Sequence, residues 1–163
     1  MPFRAIAPVL LAAVAAALPA APASAQQAPP HYVDVYSYFS SDAQYEAWST
    51  LTTQLRRNFD DICGDTFCEG DYSNIESLRL RCSVEQASGR IGRCVWVFAG
   101  SNEDVDADSG RIVVQAHVWR CRLPLAPHTT MDAFLQALSG PSPLYAALPA
   151  TTTSIYDGLT DCL

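Results

Sequence analysis

The sequence predicts an α+β domain: a long N-terminal helix packed on a three- to four-stranded antiparallel sheet, with short C-terminal helices and disulfide cross-links. Three observations predict it. Between residues 42 and 62 large apolar residues recur at helical spacing. Between 78 and 122 three segments alternate, or run apolar, over strand lengths. The chain holds six cysteines, an even number that reads as a disulfide framework in a small exported domain. At 163 residues, 49% hydrophobic and 17% charged, the chain suits one domain and is too apolar for disorder.

Residues 1–25 read as a secretory signal peptide. Arg4 supplies the positive charge, Ile6 to Leu18 is an apolar run broken by Pro8, and Ala23-Ser24-Ala25 places small residues before a cut at Gln26. The run is too short and too rich in alanine and proline to serve as a membrane anchor, and no later stretch is long enough to cross a bilayer. Removing it leaves a lead segment, 26–41, and a single domain, 42–163. The remaining chain keeps nine of the ten arginines and all 17 acidic residues, a formal charge of −8. That acidity excludes nucleic acid and anionic lipid as main partners. The expected location is the periplasm or the medium.

Each element has a local reason. Tyr32 to Phe39 alternates weakly, as a short strand does. Asp42 stands as a helix N-cap with Glu46 in the first turn. Trp48, Leu51, Leu55, Phe59 and Ile62 form one apolar stripe, and the helix should end near Asp60, before Gly64. Residues 63–76 read as an irregular loop. Leu78, Leu80, Cys82 and Val84 alternate with Arg79, Arg81, Ser83 and Glu85 as a first strand, and Ser88-Gly89 marks a turn. Cys94 to Gly100, apolar on both faces, suits a central strand. The acidic stretch Asn102 to Ser109 reads as a loop, and Ile112 to Arg122 as a third strand ended by Pro124 and Pro127. Thr129 with Asp132 resembles a capping box for Met131, Phe134, Leu135 and Leu138, and Ser154 with Asp157 repeats the signal for a last helix through Leu159.

The apolar pattern gives a strand register. Pairing about Ser88 sets Leu78 opposite Phe98, Leu80 opposite Trp96 and Cys82 opposite Cys94, all on one face. Extending the same face across the third strand pairs Phe98 with Val114 and Trp96 with Ala116, and puts Cys121 on the opposite parity. On this map Cys82–Cys94 is a cross-strand bridge, although either thiol could instead reach Cys63 or Cys68. Cys121–Cys162 would tie the C-terminus to the sheet, and Cys63–Cys68 would then close a small loop. Zinc fits less well, because there is no C-x-x-C pair and no histidine beside a cysteine pair.

The same register collects Arg79, Arg81, Val95, Val97, Gln115, His117 and Trp119 on the second face. Cationic groups beside a tryptophan suit an anionic or aromatic ligand, although the pattern is more commonly that of a half-solvated sheet face, partly covered by the C-terminal segments. Asp60, Asp61, Asp65, Glu69 and Asp71 form an acidic run within 60–76, and cysteine pinning would lower the ordering cost of docking a partner there. Asp104, Asp106 and Asp108 alternate as in a calcium loop. They depart from the EF-hand pattern, because glycine comes one place late at Gly110 and Gln115 replaces the closing glutamate. Calcium is therefore the one cofactor the sequence raises, and none is required. No G-x-S-x-G, H-E-x-x-H or phosphate-binding loop is present, so no catalytic residue is assigned. His117 is the one candidate general base for a hydrolase.

The run Phe59 to Asn74, with its Cys-Gly-Asp-Thr-Phe-Cys-Glu-Gly-Asp-Tyr-Ser-Asn segment, and the run Cys94 to Ser101 resemble a group of uncharacterised secreted bacterial proteins, across about residues 45–163. The resemblance implies export and a disulfide-linked domain, and brings no activity or functional residue with it. Together these readings point to a small secreted binding protein, an inhibitor or partner of another exported protein, using the acidic segment 60–76. The alternatives are a small-molecule or calcium binder and a hydrolase centred on His117.

Overall fold

A computed structural model describes residues 29–163; the expected signal peptide lies outside them. Strand β1 (Tyr32–Asp34) leads into a helical turn, α1 (Val35–Tyr38), and then into α2 (Asp42–Thr66). Strands β2 (Glu76–Glu85), β3 (Ile91–Val105) and β4 (Ile112–Arg122) follow, and helices α3 (Met131–Ala137) and α4 (Ile155–Thr160) complete the chain. The four strands form one antiparallel sheet in the order β1-β2-β3-β4.

Helix α2 is 25 residues long and is capped by Ser41, one residue before the expected Asp42. It runs past the expected stop near Asp60 to Thr66, so the first part of the expected loop is helical. Its buried stripe is Trp48, Leu51, Leu55, Phe59 and Cys63, with Ile62 only half-buried. Phe59 packs against Phe98 and Trp96, with ring centroids 4.7 and 6.0 Å apart. The segment expected as a strand over Tyr32–Phe39 keeps three strand residues; Val35 and Phe39 then turn into the core.

Two hairpin turns set the sheet. Glu85-Gln-Ala-Ser-Gly-Arg90 and Asp106-Ala-Asp-Ser-Gly-Arg111 share the pattern acid-x-x-Ser-Gly-Arg. In each, the first residue's amide donates to the arginine carbonyl (2.8 and 2.9 Å), and the glycine amide donates to the acid's carbonyl (2.9 and 2.8 Å). The serine hydroxyl donates to the acid's carboxylate. Gly89 and Gly110 both have φ of 69°, which an L side chain adopts only at a cost.

A bulge in the first hairpin and the closure of the second turn correct the expected register. Leu80 does oppose Trp96, and Cys82 does oppose Cys94. Leu78 does not face Phe98: a bulge between Ser77 and Arg79 puts Ser77 there and turns Leu78 outward, 49% exposed. The bulge lets the buried Ser77 hydroxyl accept from Trp96 Nε1, 3.2 Å away. On the other side Phe98 pairs with Trp119, not Val114, and Trp96 with Cys121, not Ala116. The shift is by an odd number of residues, so every β4 side chain changes face. Cys121 therefore lies on the core face, contrary to the expected parity.

The bonds are Cys63–Cys68, Cys82–Cys94 and Cys121–Cys162. No described helix is long and apolar enough to cross a membrane. Helix α3 is capped by Thr130 instead of Thr129, which turns its hydroxyl to the Ala126 carbonyl. The Ser154–Asp157 capping box of α4 is present as read. The buried side chains of α2, α3, α4 and one sheet face form a single core.

Replacing Phe59 by Ala should cost about 3–5 kcal/mol in urea unfolding, because it empties the contact between helix and sheet. Gly110→Ala should cost about 1 kcal/mol from its backbone angle alone. Gly89→Ala should cost more, since its new Cβ runs into the Tyr38 hydroxyl.

Candidate functional site

The observed register divides the expected ligand-binding set. Arg79 and Arg81 stay on the outer face, but Gln115, His117 and Trp119 lie on the core side of β4. There His117 and Trp119 pack on each other (centroids 4.4 Å), and Tyr72, from the loop after α2, closes on both (5.8 and 5.2 Å). His117 thus belongs to an aromatic clamp where that loop crosses β4, and the expected row of Arg81, Val95 and His117 does not form.

The outer face gathers arginines instead. Arg79 and Arg120 flank Val97, and Arg81 and Arg122 flank Val95 in the next row. Arg93 follows, opposite Ser83 and in line with Asp34 of β1. All five arginines are exposed, while Val95 and Val97 are half-buried among them. Tyr32, Asp34, Arg81, Arg93 and Val95 line a shallow depression on this face. Arg120 and Arg122 were not legible as site residues, because the expected parity put them on the core side, and Arg93 lies one residue before the expected strand, which begins at Cys94.

One acid balances this cluster. Arg81 donates through Nε and Nη2 to Asp34 Oδ2, at 2.9 and 2.6 Å. Asp34 Oδ1 accepts the Tyr36 amide at 3.1 Å and so caps α1. Burial pushes the Asp34 carboxyl up, but the Arg81 and Tyr36 hydrogen bonds and the charges of Arg81 and Arg79 outweigh it and hold it below its ordinary 3.8. Among the described residues, Arg79, Arg93, Arg120 and Arg122 have no ion-pair partner.

The acidic residues fall in two other places. Asp60, Asp61 and Asp65 stand exposed on the last turns of α2, and Glu69 and Asp71 on the loop that Cys63–Cys68 staples back to it. Asp104, Asp106 and Asp108 sit at the tip of the β3–β4 hairpin. Asp106 accepts both the amide and the hydroxyl of Ser109 (2.8 and 2.7 Å), and Asp104 accepts the Val105 amide (2.8 Å). The Ser109 hydrogen bonds hold the Asp106 carboxyl below its ordinary range. These carboxylates shape a turn, which is why glycine falls at 110. Among the described residues no group of three or more His, Cys, Asp or Glu side chains is placed to hold a metal ion.

Comparison with protein-family models, with curated proteins and with solved structures finds no match for this chain.

Asp34→Asn keeps a capping oxygen but loses the charge pairing. Because the folded carboxyl titrates below 3.8, its ionisation stabilises the fold above that pH, and the benefit fades as pH falls through the folded value. Thermal melts should show Asp34→Asn below wild type at pH 7 by about 1 kcal/mol at most, given the exposure of Arg81. The gap should close as the pH drops below 3.8.

Proposed function

We propose that this chain is an exported, disulfide-linked binding protein that holds an acidic exported partner protein against its arginine-bearing sheet face. One observation carries the reading: five exposed arginines share one sheet face that no other described element covers, on a protein whose formal charge is −7. The guanidinium fork matches carboxylates in bidentate geometry, and the half-buried Val95 and Val97 supply an apolar centre. The arginines stand on paired strands, so little backbone ordering is lost on binding. The chain's overall negative charge does not oppose such a contact at close range, since charges beyond about 8–10 Å are largely screened at physiological salt.

The acidic segment supports a second reading, a basic partner docking on the end of α2. Three carboxylates stand near the negative end of that helix dipole, with no basic residue in its last turn. That arrangement destabilises the isolated helix, and a cationic partner would offset it.

The two readings separate in a low-salt pull-down from the native secretome. Under the first, Arg79→Glu with Arg93→Glu should lower partner affinity by about tenfold or more, while Asp61→Arg with Asp65→Arg leaves it intact. The opposite pattern transfers the function to the acidic segment. Recovery of no partner at low salt would count against both.

A further inference from the structure

Strand β2 stops pairing with β3 at Ala99, but β3 and β4 continue to Val105 and Ile112. The result is a two-stranded arm about 20 Å long at ~3.3 Å per residue. Its outer side is β4, an edge strand with no proline, lysine or register shift along its pairing. Proteins ordinarily protect such an edge with those devices. Along the arm its even-numbered residues are apolar and exposed: Ile112 is 62% exposed and Val114 59%.

The backbone polarity of this edge follows from two hydrogen bonds. The Leu123 amide donates to Cys94, its partner in register, and the Asp106 amide donates to Arg111. Hydrogen-bonded pairs alternate along an antiparallel ladder. The odd-numbered residues from Arg111 to Leu123 therefore bond to β3. Ile112, Val114, Ala116, Val118 and Arg120 turn their N–H and C=O groups outward. Beyond them α4 closes the edge, since a Cβ at Gly158 would meet Pro124 and the Arg122 carbonyl.

We propose that this edge pairs with the β4 edge of a second copy of the chain, antiparallel about a two-fold axis at Ala116, making one eight-stranded sheet. Val114 then faces Val118 of the other copy, and Ile112 faces the aliphatic stem of Arg120. Charge selects this occupant. The arm's tip carries Glu103, Asp104, Asp106 and Asp108 against Arg111 alone, while the other end of β4 carries Arg120 and Arg122. Antiparallel pairing lays the acidic tip of each copy beside the basic end of the other. A face-to-face stack of the two arginine faces would instead bring like charges together.

Sedimentation of the purified protein tests this. Wild type should be a concentration-dependent dimer that weakens as salt rises. Ala116→Pro removes one outward N–H and no β3 bond, so it should keep the circular dichroism spectrum and sediment as a monomer. Arg120→Glu with Arg122→Glu, both exposed and unable to empty the core, should raise the dissociation constant by about tenfold or more. A wild-type monomer up to the solubility limit overturns the proposal, including the case where the edge accepts only a foreign peptide. So does a dimer that survives the charge reversal and, where Ala116→Pro folds, the proline as well.

Discussion

Each of the two hairpin turns is a six-residue device in which an acid's carboxylate holds a serine, the serine orders the loop, and a glycine reverses the chain at a left-handed angle. The arginine that follows re-enters the ladder opposite the acid. With Glu85 facing Arg90 and Asp106 facing Arg111, the pairing of three strands is nearly determined before any side chain packs. The second closure carries through to Arg122 without a shift, whereas the first is re-registered along β2, and only then does Cys82 face Cys94. Two irregularities adjust the first hairpin. The bulge at Leu78 gives the buried indole of Trp96 its acceptor, and the extra residue near Gly92 leaves room for the Tyr32 ring.

With the register set, the sheet is strongly two-sided. On one side Phe98 and Trp96 receive Phe59, and α3 and α4 complete the cover. On the other side nothing described is laid over the strands, and the arginines occupy the positions that a second layer would fill. A chain that buries one sheet face and leaves the other lined with guanidinium groups has spent no apolar surface on closing it. That asymmetry is the feature on which the proposed partner-binding reading rests.

The helix, the three long strands and the last capping box were legible because each depends on local spacing. Trp48, Leu51, Leu55 and Phe59 announce their own helix whatever lies beyond them. Cys82 and Cys94 could be placed face to face because apolar alternation and a visible Ser-Gly turn agreed. β4 was not legible in the same way. Its even-numbered residues, Ile112, Val114, Ala116 and Val118, look more like a core than Val113, Gln115 and His117 do, and apolar pattern alone assigns them inward. They belong to the arm beyond the reach of α2, where burial no longer sorts side chains. The signal that would have corrected this lies in the second turn itself, where Asp106 closes on Arg111 and no register shift follows, so that parity is set without reference to hydrophobicity. With that parity Arg120 and Arg122 join Arg79 and Arg81, and His117 leaves them.

The disulfides have a temporal meaning as well as a spatial one. Each cysteine is bonded to the next in sequence: the first to the second, the third to the fourth, the fifth to the sixth. No loop encloses another and no two interlock. An oxidant that joins thiols in the order in which they emerge would make the native set directly, with no bond to undo. The first closes a helix end and the second a hairpin, both local structures. Only the last spans a long stretch, from residue 121 to 162, and it ties the segment after α4 onto the sheet.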